Sequence, residues 1–215
     1  MPGTVPKRVI LYRITHYSNL PDIVRRGLFA AHHPAAPLGG VRIGNPEIID
    51  RRSKETVPVS PGGVLNDYVP FYLGAHSPML LQIKTGYRVP LVPQRPQREI
   101  VYLCSELSRV QELGLPFAFT NGHACVKPNR QFFNDPKQLN ELDWNMIPAK
   151  QWRRTEDDND RQRRKEAEFL VYQHVPVEAL IGLAVYDEPM AVWVEQVLAE
   201  AGVNLKVAVF PKWYY

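Results

Sequence analysis

The residues with the clearest chemical potential lie in one stretch, Arg161 to Tyr172, RQRRKEAEFLVY. A charged run ends at Ala167, a single carboxylate follows at Glu168, and the apolar run Phe169-Leu170-Val171-Tyr172 comes next. Burying an unpaired acid at the leading edge of a strand is costly. Two readings fit the spacing. In one, Glu168 is a solvent-facing acid at a strand end. In the other it is held rigidly on a sheet and faces a positively charged pocket.

Two basic clusters could supply that charge. One is Arg51-Arg52 with Lys54. The other is Lys150, Arg153, Arg154, Arg161, Arg163, Arg164 and Lys165, diluted by Glu156, Asp157, Asp158 and Asp160. The second also reads as a solvated charged loop. Aromatics accompany both: Tyr68, Phe71 and Tyr72 near the first, Phe132, Phe133, Trp144 and Trp152 near the second. Charge plus stacking surface is how single-stranded nucleic acid is held. Core packing explains many of these aromatics equally well.

Other chemistries lack their residues. No GxGxxG follows a strand and no GxxxxGK[ST] occurs, so neither phosphate-cradling motif is supported. No GxSxG is present. No His, Asp or Glu cluster has metal spacing, and the adjacent His32-His33 pair cannot chelate from one helix face. His16 reads as a core histidine bonded to backbone, and His123, in a Thr-Asn-Gly-His turn, as exposed.

These residues need elements to place them. The 215 residues suit one domain, 45% of them are hydrophobic, and the net charge of +4 is compatible with nucleic acid without being diagnostic. Cys104 and Cys125 lack CxxC spacing and fit a reduced, cytoplasmic protein without a zinc site. No apolar run is long enough to span a bilayer. Val9 to Thr15 reads as a strand, followed by a short helix capped at Ser18 or Asn19 and stopped at Gly27. Residues 30–66 show little regular pattern and read as a ligand-covering loop. Strands are expected at Met79–Ile83, Arg98–Leu103, Pro116–Thr120, Phe169–Tyr172, Ile181–Tyr186 and Leu205–Phe210. Helices are expected from a Ser105 cap through Leu113, near Lys137–Trp144, and over Ala191–Ala201. Strands and helices mix without a strict βαβ rhythm, which makes the class α+β.

Several motifs together carry a resemblance. YRITHYSNLPDIVRRGL (12–28), DRRSKETVP (50–58), PGGVLNDYVPFYLGAHSPML (61–80), LPFAFTNGHA (115–124), AEFLVY (167–172) and KWYY (212–215) resemble the DarT family, toxins that ADP-ribosylate DNA. They recur in the family's order nearly end to end. The resemblance implies an ADP-ribosyltransferase-like split β-sheet core with NAD, as substrate, in the cleft, and no metal. It implies transfer of ADP-ribose to a base of single-stranded DNA, typically thymine, opposed by DarG, a macrodomain antitoxin.

The family's catalytic glutamate falls on Glu168 and its catalytic arginine on Arg52. The NAD-contacting segment falls on Arg13, Ile14 and Thr15, with His16, Asn19, Asp22 and Leu28 beside it. The substrate loop runs from about Leu115 to Glu168. Tyr72, Met79, His123, Arg154 and Arg164 are expected to contact DNA. Many members carry His where this chain has Arg13, so the group that orients the nicotinamide ribose is left open. Arginine is effectively never deprotonated, so Arg52 is expected to stabilise charge, with Glu168 or water taking the acceptor's proton. Two other readings remain: a same-fold transferase acting on protein or RNA, and a non-enzymatic nucleic-acid-binding domain.

Overall fold

The structure is a computed structural model and describes residues 3–86 and 92–215. Its strands are β1 (Ile10–His16), β2 (Leu28–Phe29), β3 (Tyr68–Tyr72), β4 (Ile100–Glu106), β5 (Phe117–Thr120), β6 (Phe132–Phe133), β7 (Glu168–Tyr172), β8 (His174–Val175), β9 (Leu180–Val185) and β10 (Val207–Val209). Its α-helices are α1 (Leu20–Arg26), α2 (Pro46–Arg52), α3 (Pro78–Thr85), α4 (Leu107–Glu112), α5 (Arg161–Lys165) and α6 (Glu188–Glu200). Eight strands form one sheet in the order β10-β9-β4-β1-β3-β7-β5-β6, and β2 pairs separately with β8.

The register of β1 divides this sheet. Along one edge β1 pairs with β4 over its whole length, from Ile10↔Glu106 to His16↔Ile100. Along the other it meets β3 at one pair, Tyr12↔Tyr72. β3 in turn pairs fully with β7, from Tyr68↔Tyr172 to Tyr72↔Glu168. Two halves therefore join at one point and part beyond it, which is the split-sheet core expected above. Arg13 spans the opening, donating from Nη1 to the Pro70 carbonyl at 2.8 Å. Within a strand, a residue's N–H and C=O point the same way. Proline at position 70 thus lacks only a donor that would face the gap, so it is tolerated in an interior strand.

Alternating side chains bury both faces. Leu11, Val69, Phe71, Val101, Leu103, Phe169 and Val171 join the main core with α1 and α6. Ile14, Ile100, Tyr102 and Tyr214 form a second core with Leu80 and Ile83 of α3. The terminal aromatics are tied in: the Tyr214 hydroxyl donates to the Ile100 carbonyl at 2.8 Å. Among the described residues, no helix is long and apolar enough to cross a membrane.

Several elements differ from expectation. Met79–Ile83 is helix, not strand. Ser77 caps it by accepting from the Leu80 N–H at 3.2 Å, Pro78 opens it, and Gly86 closes it in the left-handed region at φ +63°. Those end signals outweigh the strand-like look of a short apolar run. Ser105 does not cap α4. β4 runs on through Glu106, and the buried Ser105 hydroxyl donates to the Ala179 carbonyl at 2.6 Å. The helix expected near Lys137–Trp144 is a 3-10 segment, Pro136–Glu141, begun by Asp135. α6 starts before Ala191 because Asp187 caps it, accepting from the Met190 N–H at 3.1 Å. The 30–66 stretch holds α2, started by Asn45 and Pro46.

Candidate active site

Tyr12, Tyr72 and Glu168 stand side by side where the two halves of the sheet join. Glu168 is 6% exposed, which excludes the solvent-facing reading. Its Oε2 accepts from Arg52 Nη1 at 2.7 Å, and its Oε1 accepts from the Ala124 N–H at 2.8 Å. His123 Nδ1 lies 3.9 Å from Oε1. The Glu168 N–H donates to Thr120 Oγ1 at 3.2 Å, fixing the strand end itself. Burial alone would raise this carboxyl. The Arg52 guanidinium first, with the Ala124 N–H, overcomes that and holds it below the usual carboxylate range.

Arg52 reaches Glu168 from the last position of α2 and is itself buried. Burial works against its charge, but pairing with Glu168 prevails and raises it. Arg13 has no such acid; burial first, and Arg52 second, pull it down to about 10, so it stays protonated at neutral pH. Arg52 Nη2 and Arg13 Nε are buried donors without a protein partner. Buried polar groups are nearly always satisfied, so the unpartnered guanidinium N–H groups of Arg52, which pairs with Glu168, and of Arg13, which lies near Arg52, suit an oxygen-rich, partly anionic ligand. A dinucleotide's ribose hydroxyls and phosphates fit that donor set. Among the described residues, no group of three or more His, Cys, Asp or Glu is placed to hold a metal ion.

Tyr72 is half-buried and faces Arg13, Arg52, Glu166 and Glu168. Burial, then the two acids, push its phenol up, so it remains a donor. His123 is kept neutral chiefly by burial. Its Nδ1 accepts from the Cys125 N–H at 3.1 Å, which places the ring proton on Nε2. His123 is therefore part-buried beside Glu168 rather than exposed.

The remaining candidates spread outwards. Ile14 lies in the second core. Thr15 Oγ1 accepts from Asn19 Nδ2 at 3.2 Å, and Asn19 also holds Val41 through Nδ2 to the carbonyl at 2.9 Å and Oδ1 from the N–H at 2.8 Å. Asn19 thereby ties the 37–44 segment over the end of β1. His16 is buried with both ring nitrogens occupied, by Ser18 at 2.7 Å and Glu99 at 3.3 Å. Its Nδ1 also lies 3.3 Å from the Ser18 N–H, so the backbone contact expected above is present beside the two side-chain partners. Asp22 pairs with Arg26 at 3.2 Å, and Leu28 is a main-core residue. Met79 packs against the second core on α3. Arg154 is exposed. Arg164 is held by Asp143 at 2.8 Å, Asp158 at 2.6 Å and Asp160 at 3.4 Å, so its guanidinium orders the 143–164 region.

Three contributors escape residue-type reasoning. Ala124 acts through its backbone, Thr120 through a hydroxyl at a strand end, and Glu166 through proximity. Glu166 is raised to about 8, first by burial and second by the Glu168 charge. Two neighbouring carboxyls thus part: Glu168 ionised, Glu166 protonated at neutral pH. The sign for stability follows. An acid whose folded value is raised costs nothing below its ordinary 4.5, destabilises increasingly between 4.5 and about 8, and costs a constant amount above that. Glu166→Gln is expected to stabilise the fold by on the order of 2 kcal/mol at about pH 9 and by nothing at about pH 4. Thermal melts at the two pH values check this; an equal shift at both would show a packing effect instead.

A family model described as "ssDNA thymidine ADP-ribosyltransferase, DarT" matches residues 12–215. A DNA ADP-ribosyl transferase of Escherichia coli O127:H6 is 35% identical over 210 residues, covering 98% of this chain and 95% of that protein. Thermus sp. 2.9 DarT in complex with ADP-ribosylated ssDNA superposes with a TM-score of 0.91 at 34% identity over 100% of both chains. Thermus sp. 2.9 DarT in complex with NAD+ superposes with a TM-score of 0.84 at 33% identity, over 99% of this chain and 100% of that one. A split sheet with a buried Glu–Arg pair at its junction, matched from end to end in this way, belongs to the DarT family.

Proposed function

We propose that this protein transfers ADP-ribose from NAD to a thymine base of single-stranded DNA, releasing nicotinamide, and that one domain carries the whole reaction. The observation that supports it most is the buried Arg52–Glu168 pair at 2.7 Å, with the Arg52 Nη2 left as an unpartnered donor. Cleavage of the nicotinamide–ribose bond sends the bonding pair to nicotinamide and leaves positive charge at ribose C1′. Each Glu168 oxygen accepts one protein donor and keeps a lone pair. Glu168 can therefore accept from a ribose hydroxyl and stabilise the adjacent cationic carbon. A thymine ring nitrogen then bonds to C1′ and loses its proton. Arg52 Nη2–H and the Tyr72 hydroxyl are the donors available to a base carbonyl as negative charge develops there. Glu168 or water takes the proton, because arginine keeps its own.

A base within a duplex hides this ring nitrogen in its pair, so the acceptor must be single-stranded. The test is incubation with labelled NAD and either thymine-containing oligonucleotides, the same sequences annealed, RNA, or total protein. Label is expected on the single-stranded DNA, with mass spectrometry placing it on thymine; label on protein or RNA alone would overturn the reading. By the same family logic the activity is that of a toxin, and a DarG-like macrodomain would remove the mark; loss of the label on adding such a macrodomain checks this.

Arg154 and Arg164 separate two kinds of basic residue. Arg154→Ala is expected to reduce the slope of log affinity against log salt by about 1. Arg164→Ala is expected to leave the slope unchanged and lower the melting temperature, because its charge is already neutralised by three aspartates. Fluorescence anisotropy over a salt series distinguishes the two; equal slopes for wild type and Arg154→Ala would remove Arg154 from the DNA path.

A further inference from the structure

We infer that Arg163 is a positioning residue for the transfer reaction: it clamps the Thr120–Cys125 turn so that the Ala124 N–H stays on Glu168. The inference rests on the reading of Glu168 as the reacting carboxylate.

Beyond Thr120, the last residue of β5, the turn has no regular secondary structure of its own, yet it must present one N–H to a buried acid. Arg163, on α5, is the main clamp on one side. Its side chain is 7% exposed, and Asp160 grips it with two parallel bonds, from Nε at 2.7 Å and Nη2 at 2.8 Å. The remaining nitrogen, Nη1, donates to Asn121 Oδ1 at 3.0 Å and to the Asn121 carbonyl at 3.4 Å. The Arg163 carbonyl accepts from the His123 N–H at 2.9 Å. Gly122 lies between these contacts. A Cβ there would sit 2.7 Å from the Arg163 carbonyl oxygen and closer still to Nη1. Glycine is needed for this close approach and for no other reason, since its φ is ordinary.

The other side of the turn is closed as well. Arg130 donates from Nη1 to the Ala124 carbonyl at 2.6 Å and pairs with Glu55 at 2.9 Å. Thr120 links the turn back to the strand: its hydroxyl donates to the Gly122 carbonyl at 2.6 Å and accepts from the Glu168 N–H. α5 leads directly into β7, so one continuous segment carries both the clamp and the acid it serves. A fork with three nitrogens engaged in fixed directions is what arginine provides and lysine does not.

The test compares wild type with Arg163→Ala, Arg163→Lys and Gly122→Ala on a thymine oligonucleotide, recording kcat, KM for NAD and DNA, melting temperature, and the acid limb of kcat. Arg163→Ala is expected to lower kcat about tenfold with both KM values within about twofold, since small misplacements of reacting groups act on the transition state. The acid limb is expected to move up by roughly half a pH unit as Glu168 loses a donor. Arg52, His123, Glu166, Tyr72 and Cys125 also face Glu168 and are chemically unchanged in these variants. Arg163→Lys should not restore the rate, and Gly122→Ala should reproduce both effects with the charge intact. If Arg163→Ala does not fold, Gly122→Ala decides on the same terms. Unchanged kcat in folded variants, a lower rate with an unmoved acid limb, or a change in KM for DNA alone would each overturn the clamp. An active wild type with indifferent variants defeats this inference only; an inactive wild type defeats the function reading, and the clamp with it.

Discussion

Glu168→Gln lowers kcat by about 10³-fold or more while the KM values for NAD and DNA change by less than about threefold. Glutamine keeps the volume and leaves an oxygen to accept the Ala124 N–H, but it removes the negative charge next to ribose C1′. It also sets an amide against Arg52, whose Nη1 then loses its carboxylate. A buried charge left without its partner destabilises by about 3–5 kcal/mol, so the melting temperature falls as well. Measuring kcat at about 20 °C below the variant's own midpoint separates lost chemistry from lost fold. The pH dependence has a definite sign. Glu168 is depressed in the fold, so the stability it contributes is present above its ordinary 4.5 and disappears as pH falls through the lower, folded value. Wild-type activity should therefore persist into the pH range where an ordinary carboxylate is already half protonated. A Glu168→Gln protein that is folded and keeps a tenth of the wild-type rate would remove Glu168 from the chemistry.

How far this arrangement is legible in the sequence differs from residue to residue. Glu168 announces itself because an acid directly before Phe169-Leu170-Val171 must be either at the surface or paired, and only the structure decides which. β1, β5 and β7 follow from β-branched and aromatic runs bounded by turn residues. α3 does not, because Met79-Leu80-Leu81-Gln82-Ile83 is too short and too apolar for periodicity to separate helix from strand. Its Ser77-Pro78 start and Gly86 stop hold the information instead. α2 is similarly announced only by Asn45-Pro46, yet it carries Arg52. The split of the sheet is a matter of register, one β1–β3 pair where the five residues of β3 allow five, and no residue type encodes that locally. The Ala124 contact is a backbone donor, available in principle to any residue there except proline. It becomes visible only when Arg163 and Arg130 are seen holding that turn in place.

Arg52 divides charge from geometry, and its two substitutions should differ in kind. In Arg52→Ala, Glu168 keeps the Ala124 N–H but loses the guanidinium, its strongest source of stabilisation as an anion. The acid limb of kcat should then move up into or above the ordinary carboxylate range. The fold should lose about 3–5 kcal/mol, because a buried acid is left without its cation. Arg52→Lys restores a cation, so stability and the acid limb should return most of the way to wild type. The rate should not: kcat is expected to stay about 10²-fold down. Arg52 engages Glu168 through Nη1 and leaves Nη2 as a second donor in a fixed plane, unmatched by any protein acceptor. An ammonium can serve the carboxylate or the developing charge on the base, but it cannot hold both directions at once. Near-wild-type turnover by Arg52→Lys would reduce Arg52 to a counter-ion. A cleanly split result, with stability recovered and rate lost, would locate its contribution in the free half of the guanidinium.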